Sequence, residues 1–94
     1  MALARVVSFE GVSTDRMDEM SRDMQEGERP EGLPTTEVIV LHDPDTERAL
    51  AILFFATDDD YSEGDATLNA MPAADTPGQR TSVTKYDVAV RVTR

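Results

Sequence analysis

The amino-acid sequence predicts a small α+β protein in which one antiparallel sheet of four strands carries two helices on one face. Four stretches are rich in β-branched and aromatic residues, as strands usually are. Two stretches of helical character separate the first strand from the second and the third from the fourth. The chain has 94 residues, the length of one domain, so we expect residues 1–94 to form a single domain.

The first strand and the first helix occupy the N-terminal third of the chain. Leu3 to Glu10 has the composition of a strand, and Ser13 to Glu26 changes to helical spacing. Ser13 or Thr14 can cap the first free amides of the helix, and Gly27 is suited to end it. Three methionines recur on one side of this helix: Met17, Met20 and Met24. We interpret this row as the contact with the sheet and not as a set of thioether ligands.

A β-hairpin follows a loop of residues 26–36 that contains two prolines and two glycines. The order Asp43-Pro44-Asp45-Thr46 suits a type I turn, which would place His42 opposite Glu47. Both faces of this hairpin are apolar. One face carries Val38, Val40, Ala49, Ala51, Leu53 and Phe55, and the other carries Ile39, Leu41, Leu50, Ile52 and Phe54.

The second helix and the last strand complete the predicted order. Residues 58–71 begin with acidic residues, which favour a helix N-terminus, although Gly64 weakens the pattern of one continuous helix. Residues 72–79 are expected to form a loop. Thr81 to Val92 alternates as a half-exposed strand with one apolar face, made of Tyr86, Val88, Val90 and Val92.

The order strand, helix, strand, strand, helix, strand is that of the ferredoxin-like fold. Two helices can cover only one face of the sheet, so the second apolar face of the hairpin would remain in water. Exposing several large apolar side chains costs on the order of ten kcal/mol, which is comparable to the whole stability of a small domain. We therefore expect a homodimer that packs sheet on sheet.

Composition excludes several classes of function. The chain has 19 acidic and 9 basic residues and a net charge of −10, which disfavours binding to nucleic acids and to anionic membrane surfaces. The absence of cysteine excludes disulfides, thiol catalysis and cysteine metal sites. No signal segment or membrane span is evident, so we expect a cytoplasmic protein. Phosphate loops, zinc helices and dinucleotide fingerprints are also absent, and we expect no cofactor.

Few residues are candidates for chemistry. His42 is the only histidine and the starting point for any acid–base role, but a polar residue at a hairpin end is usually structural. Arg5 lies among apolar residues, so it either pairs with an acid or holds an anionic ligand. Tyr86 suits an interface more than a site. Asn69 is expected to face solvent or to cap its helix.

An acidic run, Asp58 to Asp65, superficially resembles a calcium loop. Glu63 stands where that loop requires glycine, and Asn69 stands where it requires a bidentate glutamate. We therefore interpret the run as a helix start with a solvated acidic surface, and we expect no metal site.

The strings "SFEGVSTDRMDEMSRDMQEG", "ALAILFFAT", "LNAMP" and "RTSVTKYDVAV", together with the predicted fold, resemble the dimeric α+β barrel superfamily and are similar to antibiotic-biosynthesis-monooxygenase-like domains. The resemblance implies a homodimer with paired sheets. The superfamily includes cofactor-free monooxygenases, haem-degrading enzymes and proteins without a known reaction. The chain lacks tryptophan and its histidine lies beside the hairpin turn, so the haem-degrading residues do not carry over. For the cofactor-free monooxygenases, only Asn69 remains as an analogue, and we do not carry it over.

Two functions follow from these observations. The first is a small-molecule-binding or structural dimer without catalytic activity, with a pocket for an apolar or aromatic ligand between helices and sheet, lined by methionines and hairpin aromatics. The second is a cofactor-independent monooxygenase that acts on an aromatic or polyketide-like molecule, with His42, Tyr86 and Arg5 as its polar participants. A cavity in which two or more of these polar groups converge would favour the enzyme.

Overall fold

The computed structural model describes residues 2–27, 32–70 and 78–93. It contains four strands and two helices in the predicted order. The elements are β1 (Leu3–Glu10), α1 (Thr14–Glu26), β2 (Glu37–Asp43), β3 (Arg48–Phe55), α2 (Asp58–Asn69) and β4 (Gln79–Asp87). The strands form one antiparallel sheet in the order β2-β3-β1-β4. This arrangement matches the ferredoxin-like fold.

The core lies between the sheet and the two helices. One cluster, near the start of β1, contains Leu3, Leu53, Phe55 and Tyr61, with Leu68 packed against it. A second cluster, near the end of β1, contains Val7, Phe9, Val12 and Ala49, with Met17 packed against it. Tyr61 and Leu68 belong to α2 and Met17 belongs to α1, so both helices cover the same face of the sheet.

Helix α1 begins and ends as its sequence predicts. The Ser13 side chain accepts a hydrogen bond from the Arg16 amide at 3.1 Å, and the Gly27 amide closes the last turn on the Asp23 carbonyl. None of its thirteen residues, all within the described part of the chain, is buried. Met17 reaches the core and Met20 is half-buried, but Met24 is 48% exposed. The methionine row therefore contacts the sheet at its N-terminal end alone.

The predicted register of the hairpin is wrong by two residues. His42 pairs with Ala49 and not with Glu47, because the turn spans residues 44–47. Glu47 adopts a positive φ of 56°, which extends the turn by one residue beyond the predicted type I turn. A slip of two residues leaves every side chain on its predicted face.

Helix α2 is continuous through Gly64, where the sequence pattern was weakest. The Thr57 side chain caps it by accepting from the Asp60 amide at 3.1 Å. Gly64 is buried because the helix approaches Phe55 so closely that a Cβ at this position would overlap the phenyl ring. The helix ends at Asn69, two residues before its predicted end; Met71 and most of the predicted 72–79 loop lie outside the described residues.

Strand β4 differs from its prediction at both ends. It begins at Gln79 and ends at Asp87, so Val88, Val90 and Val92 do not extend it. Strand β1 begins at Leu3, which pairs with Asp87. Val88 and the residues after it therefore have no residue of β1 to pair with. The Val88 amide still donates to the Ala2 carbonyl at 2.9 Å. Alternating apolar residues thus predicted an extended segment but not its pairing.

Candidate functional site

The outer face of the sheet, which points away from the helices, is a broad surface that neither helix covers. The strand pairings arrange its side chains in three rows across the sheet. Row 1 contains Glu37, Phe54, Ala4 and Tyr86; row 2 contains Ile39, Ile52, Val6 and Thr84; row 3 contains Leu41, Leu50, Ser8 and Ser82. The hairpin side is apolar in rows 2 and 3 and carries Glu37 beside Phe54 in row 1, and the β4 side of rows 2 and 3 carries hydroxyl groups.

Much of this outer face is open to water. Leu41 is 51% exposed, Ile39 and Leu50 are each 37% exposed, and Tyr86 is 55% exposed. Monomeric proteins rarely leave a contiguous apolar patch of this kind uncovered. The face predicted from the hairpin pattern is therefore present, and helices α1 and α2 do not reach it.

The C-terminal segment, residues 88–93, covers part of row 1. It leaves the sheet at the β4 edge, and Arg91 forms an ion pair with Glu37 on β2, at the opposite edge. The Arg91 guanidinium also lies 4.9 Å from the centre of the Phe54 ring. An open depression of about 510 Å³ remains between this segment and the sheet, lined by Ile39, Phe54 and the segment's valines among others.

A second depression, of about 540 Å³, lies at the turn end of the hairpin, and Phe9, Leu41, His42 and Leu50 contribute to its walls. His42 is half-buried beside it on the helix-facing side of β2. Its Nε2 lies 2.9 Å from the Val12 carbonyl oxygen, so this nitrogen carries the proton and donates. Neither depression is lined by the α1 methionines, in contrast to the pocket that the sequence predicts between helices and sheet.

Arg5 is at the centre of a polar cluster beneath α2. Only 2% exposed, it donates from Nε to Asp65 Oδ1 at 2.8 Å and from Nη2 to Asn69 Oδ1 at 3.1 Å. Asn69 also accepts from Arg80 Nη1 at 2.9 Å and donates to Asp65 Oδ2 at 3.2 Å. The expected pairing of Arg5 with an acid is confirmed. The acid comes from α2, and each of the four side chains is hydrogen-bonded to at least one other side chain of the cluster.

Asn69 is exposed at the last residue of α2, as the sequence indicates, but its hydrogen bonds to charged side chains were not predicted. Asn69 links two guanidinium groups through one carbonyl oxygen. The spacing of Asp65 and Asn69, one helical turn apart, was the available signal, since such pairs share a helix face. No feature of the sequence near Asp65 and Asn69 indicated that this face of α2 would contact Arg5.

The structure does not bring Arg5, His42 and Tyr86 together. Arg5 and His42 share the helix-facing side, but His42 aligns with Ala49 and Phe9, four residues along β1 from Arg5. Strand geometry then separates their backbones by roughly 16 Å. Tyr86 lies on the outer face. No pocket described here has two of these three side chains in its walls.

Among the residues that the structure describes, three ionisable side chains have shifted pKa values. Burial raises the pKa of Tyr61, and the nearby Asp65 carboxylate raises it further. The hydrogen bond from Lys85 Nζ to Asp58, at 3.0 Å, raises the pKa of Lys85. Lys85 also lies 4.9 Å from the centre of the Tyr61 ring. A hydrogen bond from the Thr46 side chain lowers the pKa of Asp43 in the hairpin turn. None of these groups belongs to a shared pocket.

The acidic run at residues 58–65 forms the first two turns of α2 and does not form a loop. Within the described ranges, no three His, Asp or Glu side chains are arranged to hold a metal ion. No helix in those ranges is both long and apolar enough to cross a membrane. No protein-family model matches the chain, and no curated protein matches it in sequence.

Proposed function

We propose that the protein functions as a homodimer in which the outer faces of two copies pack against each other, as in the dimeric α+β barrels. In this assembly the protein is a small-molecule-binding or structural module without catalytic activity. The observation that carries the proposal is the open apolar outer face, with Leu41, Ile39, Leu50 and Tyr86 between 37% and 55% exposed. Covering these side chains contributes several kcal/mol per copy at about 25 cal/mol per Å².

The outer face supplies most of the area that a dimer interface requires. Four strands at roughly 4.8 Å spacing and three rows of side chains give a planar area of roughly 400 Å² on each copy. Side-chain relief and the C-terminal segment add to this area. Two copies together therefore approach the roughly 1,000 Å² that a specific interface requires.

Charge distribution supports a second copy as the occupant. Two chains of net charge −10 repel each other, so they can meet closely only where the surface carries little charge. The outer face meets this condition, because its three rows contain one acid, Glu37, which is paired with Arg91. The exposed acids of α1 and α2, such as Asp18 and Asp59, lie on the opposite side of the sheet.

The separation of Arg5, His42 and Tyr86 favours the non-catalytic role over the monooxygenase alternative. Arg5 is committed to Asp65 and Asn69, and His42 is committed to the Val12 carbonyl. General acid–base catalysis requires its groups within hydrogen-bond reach of one reacting atom. An apolar ligand could instead occupy the 510 Å³ depression beside Phe54, which a second copy would enclose.

Leu41→Asp tests the dimer. We expect the wild-type chain to have the mass of two copies at micromolar concentration by light scattering, and Leu41→Asp to have the mass of one, because a carboxylate would be buried unpaired. Val83→Asp is the matched control: Val83 is also on a strand and 37% exposed, but it lies on the helix-facing side of β4. A monomeric wild-type chain, or a Leu41→Asp chain that remains dimeric, would refute the proposal.

A further inference from the structure

The C-terminal segment, residues 88–93, is anchored at two points. At its start, the Val88 amide donates to the Ala2 carbonyl beside β4. Three residues later, Arg91 reaches Glu37 on β2 and the Phe54 ring on β3. These contacts hold the segment over row 1 of the outer face, above the hairpin strands.

Two valines contribute much of the exposed surface of this segment. Val90 is 80% exposed and Val92 is 67% exposed, and these two valines flank the inward-reaching Arg91. Both valines also line the depression between the segment and the sheet, together with Ile39 and Phe54. The apolar surface of the outer face therefore continues onto the segment.

The rows of the outer face limit how two copies can pack. A twofold axis parallel to the strands would place β2 of one copy over β4 of the other, with apolar side chains against Ser82 and Thr84. It would also stack the two C-terminal segments on each other. A twofold axis that lies in the plane of the interface but runs across the strands keeps each hairpin over the partner's hairpin. It places row 1 of one copy over row 3 of the other. The second arrangement brings the apolar side chains of the hairpin and of the C-terminal segment against the partner's Leu41 and Leu50, with the Glu37–Arg91 ion pair of row 1 beside them.

From these observations we infer that the C-terminal segment is part of the dimer interface, with Val90 and Val92 of each copy packed on Leu41 and Leu50 of the other. The inference rests on the proposed homodimer and specifies its orientation. Row 3 fits this role because Leu41 and Leu50 are 51% and 37% exposed and the partner's own C-terminal segment lies over row 1. The contact is reciprocal, as an isologous interface requires.

Cross-linking between single-cysteine variants tests the orientation, since the wild-type chain contains no cysteine. The Val92→Cys variant is labelled with heavy isotopes and mixed with the unlabelled Leu41→Cys variant. The mixture is then treated with a short bis-maleimide, which links two cysteines. We expect a covalent heavy–light dimer as the main product, identified by mass spectrometry. A mixture of Val92→Cys with Tyr86→Cys is the control, because those positions would face each other only with the axis parallel to the strands.

The outcomes separate this inference from the proposed function. A dimeric mass with cross-links mainly from residue 92 to 86, or from 92 to 92, overturns the orientation and leaves the dimer standing. A monomeric mass overturns both. As a second measurement, Val90→Ser with Val92→Ser should weaken association at least about tenfold, since two exposed valines per copy lose their burial. Unchanged association in that variant, with Val83→Ser as control, would also overturn the inference.

Discussion

At the scale of single residues, Arg5 shows how a buried charge is accommodated in a small core. Its guanidinium is 2% exposed and would cost several kcal/mol if it were left unpaired. Asp65 supplies the opposite charge, and Asn69 supplies a further acceptor. These hydrogen bonds hold the end of α2 against β1 and β4, so the role of Arg5 is structural.

Tyr61 makes the stability of the fold sensitive to alkaline pH. Its pKa is raised by burial, so in the pH range above about 10 the unfolded chain loses this proton before the folded chain does. Lys85, whose pKa is raised by Asp58, acts in the same direction. We therefore expect the free energy of unfolding, measured with urea at fixed chain concentration, to be constant from neutral pH to about pH 9 and to fall above about pH 10.

Tyr61→Phe should make that alkaline decline shallower, because the replacement removes one of the two groups whose raised pKa values cause it. Tyr86→Phe is the matched control, since Tyr86 is 55% exposed. Absorbance of tyrosinate should show a tyrosine with a raised pKa in the wild-type chain, and this signal should be missing from Tyr61→Phe. An equal decline in the wild type and in Tyr61→Phe would contradict the assignment to Tyr61.

The candidate residues could be found from the sequence, but their partners could not. An arginine among apolar residues, as Arg5 is, needs a counter-charge wherever it lies. Which acid supplies it depends on how α2 lies on the sheet, and composition and periodicity do not determine that placement. The same limit hid Asn69, whose neighbours Arg5 and Arg80 are distant in sequence.

At the scale of elements, Gly64 is a position where the usual preference of a helix interior for alanine over glycine is reversed. Alanine normally stabilises a helix interior by about 1 kcal/mol relative to glycine. At this position an added methyl group would overlap the Phe55 ring, and Phe55 is fully buried with Tyr61 against its edge. We expect Gly64→Ala to lower the free energy of unfolding by about 1–3 kcal/mol, because overpacking outweighs helix propensity.

Urea unfolding of two variants checks the Gly64 prediction. Ala66→Gly, at an exposed position of the same helix, is the control and should cost about 1 kcal/mol through propensity alone. If Gly64→Ala instead stabilises the protein, the close approach of α2 to the sheet is incorrect.

The predicted elements were confirmed where local patterns control them and failed where pairing controls them. Leu3–Glu10 was predicted to the residue, because a change of periodicity bounds it on one side. The hairpin register was missed because Glu47 adopts a left-handed conformation that its residue type does not indicate. The end of β4 was missed because Val88, Val90 and Val92 alternate like a strand, whereas the sheet ends beside Asp87.

At the scale of the whole molecule, charge and apolar surface are separated onto opposite sides. The exposed acids of α1 and α2 lie behind the sheet, and the outer face in front of it is nearly free of charge. This separation leaves each copy with one strongly acidic side and one apolar side. In the proposed dimer, association depends on the balance between apolar burial at the outer faces and long-range repulsion between the acidic sides.

This balance predicts how the proposed dimer depends on salt. Two copies of net charge −10 repel each other over distances comparable to the Debye length, which falls from about 30 Å at about 0.01 M salt to about 10 Å at about 0.1 M. Added salt screens this repulsion and leaves the apolar contact intact. We expect the dimer dissociation constant, measured by sedimentation, to fall several-fold over that range.

Removing charge far from the outer face should mimic added salt. Asp18→Asn with Asp23→Asn changes two exposed residues of α1, on the opposite side of the sheet, and removes four charges per dimer. We expect this variant to associate more tightly than the wild type at low salt and to show a smaller salt effect. An interface held by ion pairs would behave in the opposite way, because screening weakens attraction between opposite charges. Dissociation that increases with salt would therefore exclude the outer face as the contact, since its one ion pair, between Arg91 and Glu37, lies within a single copy.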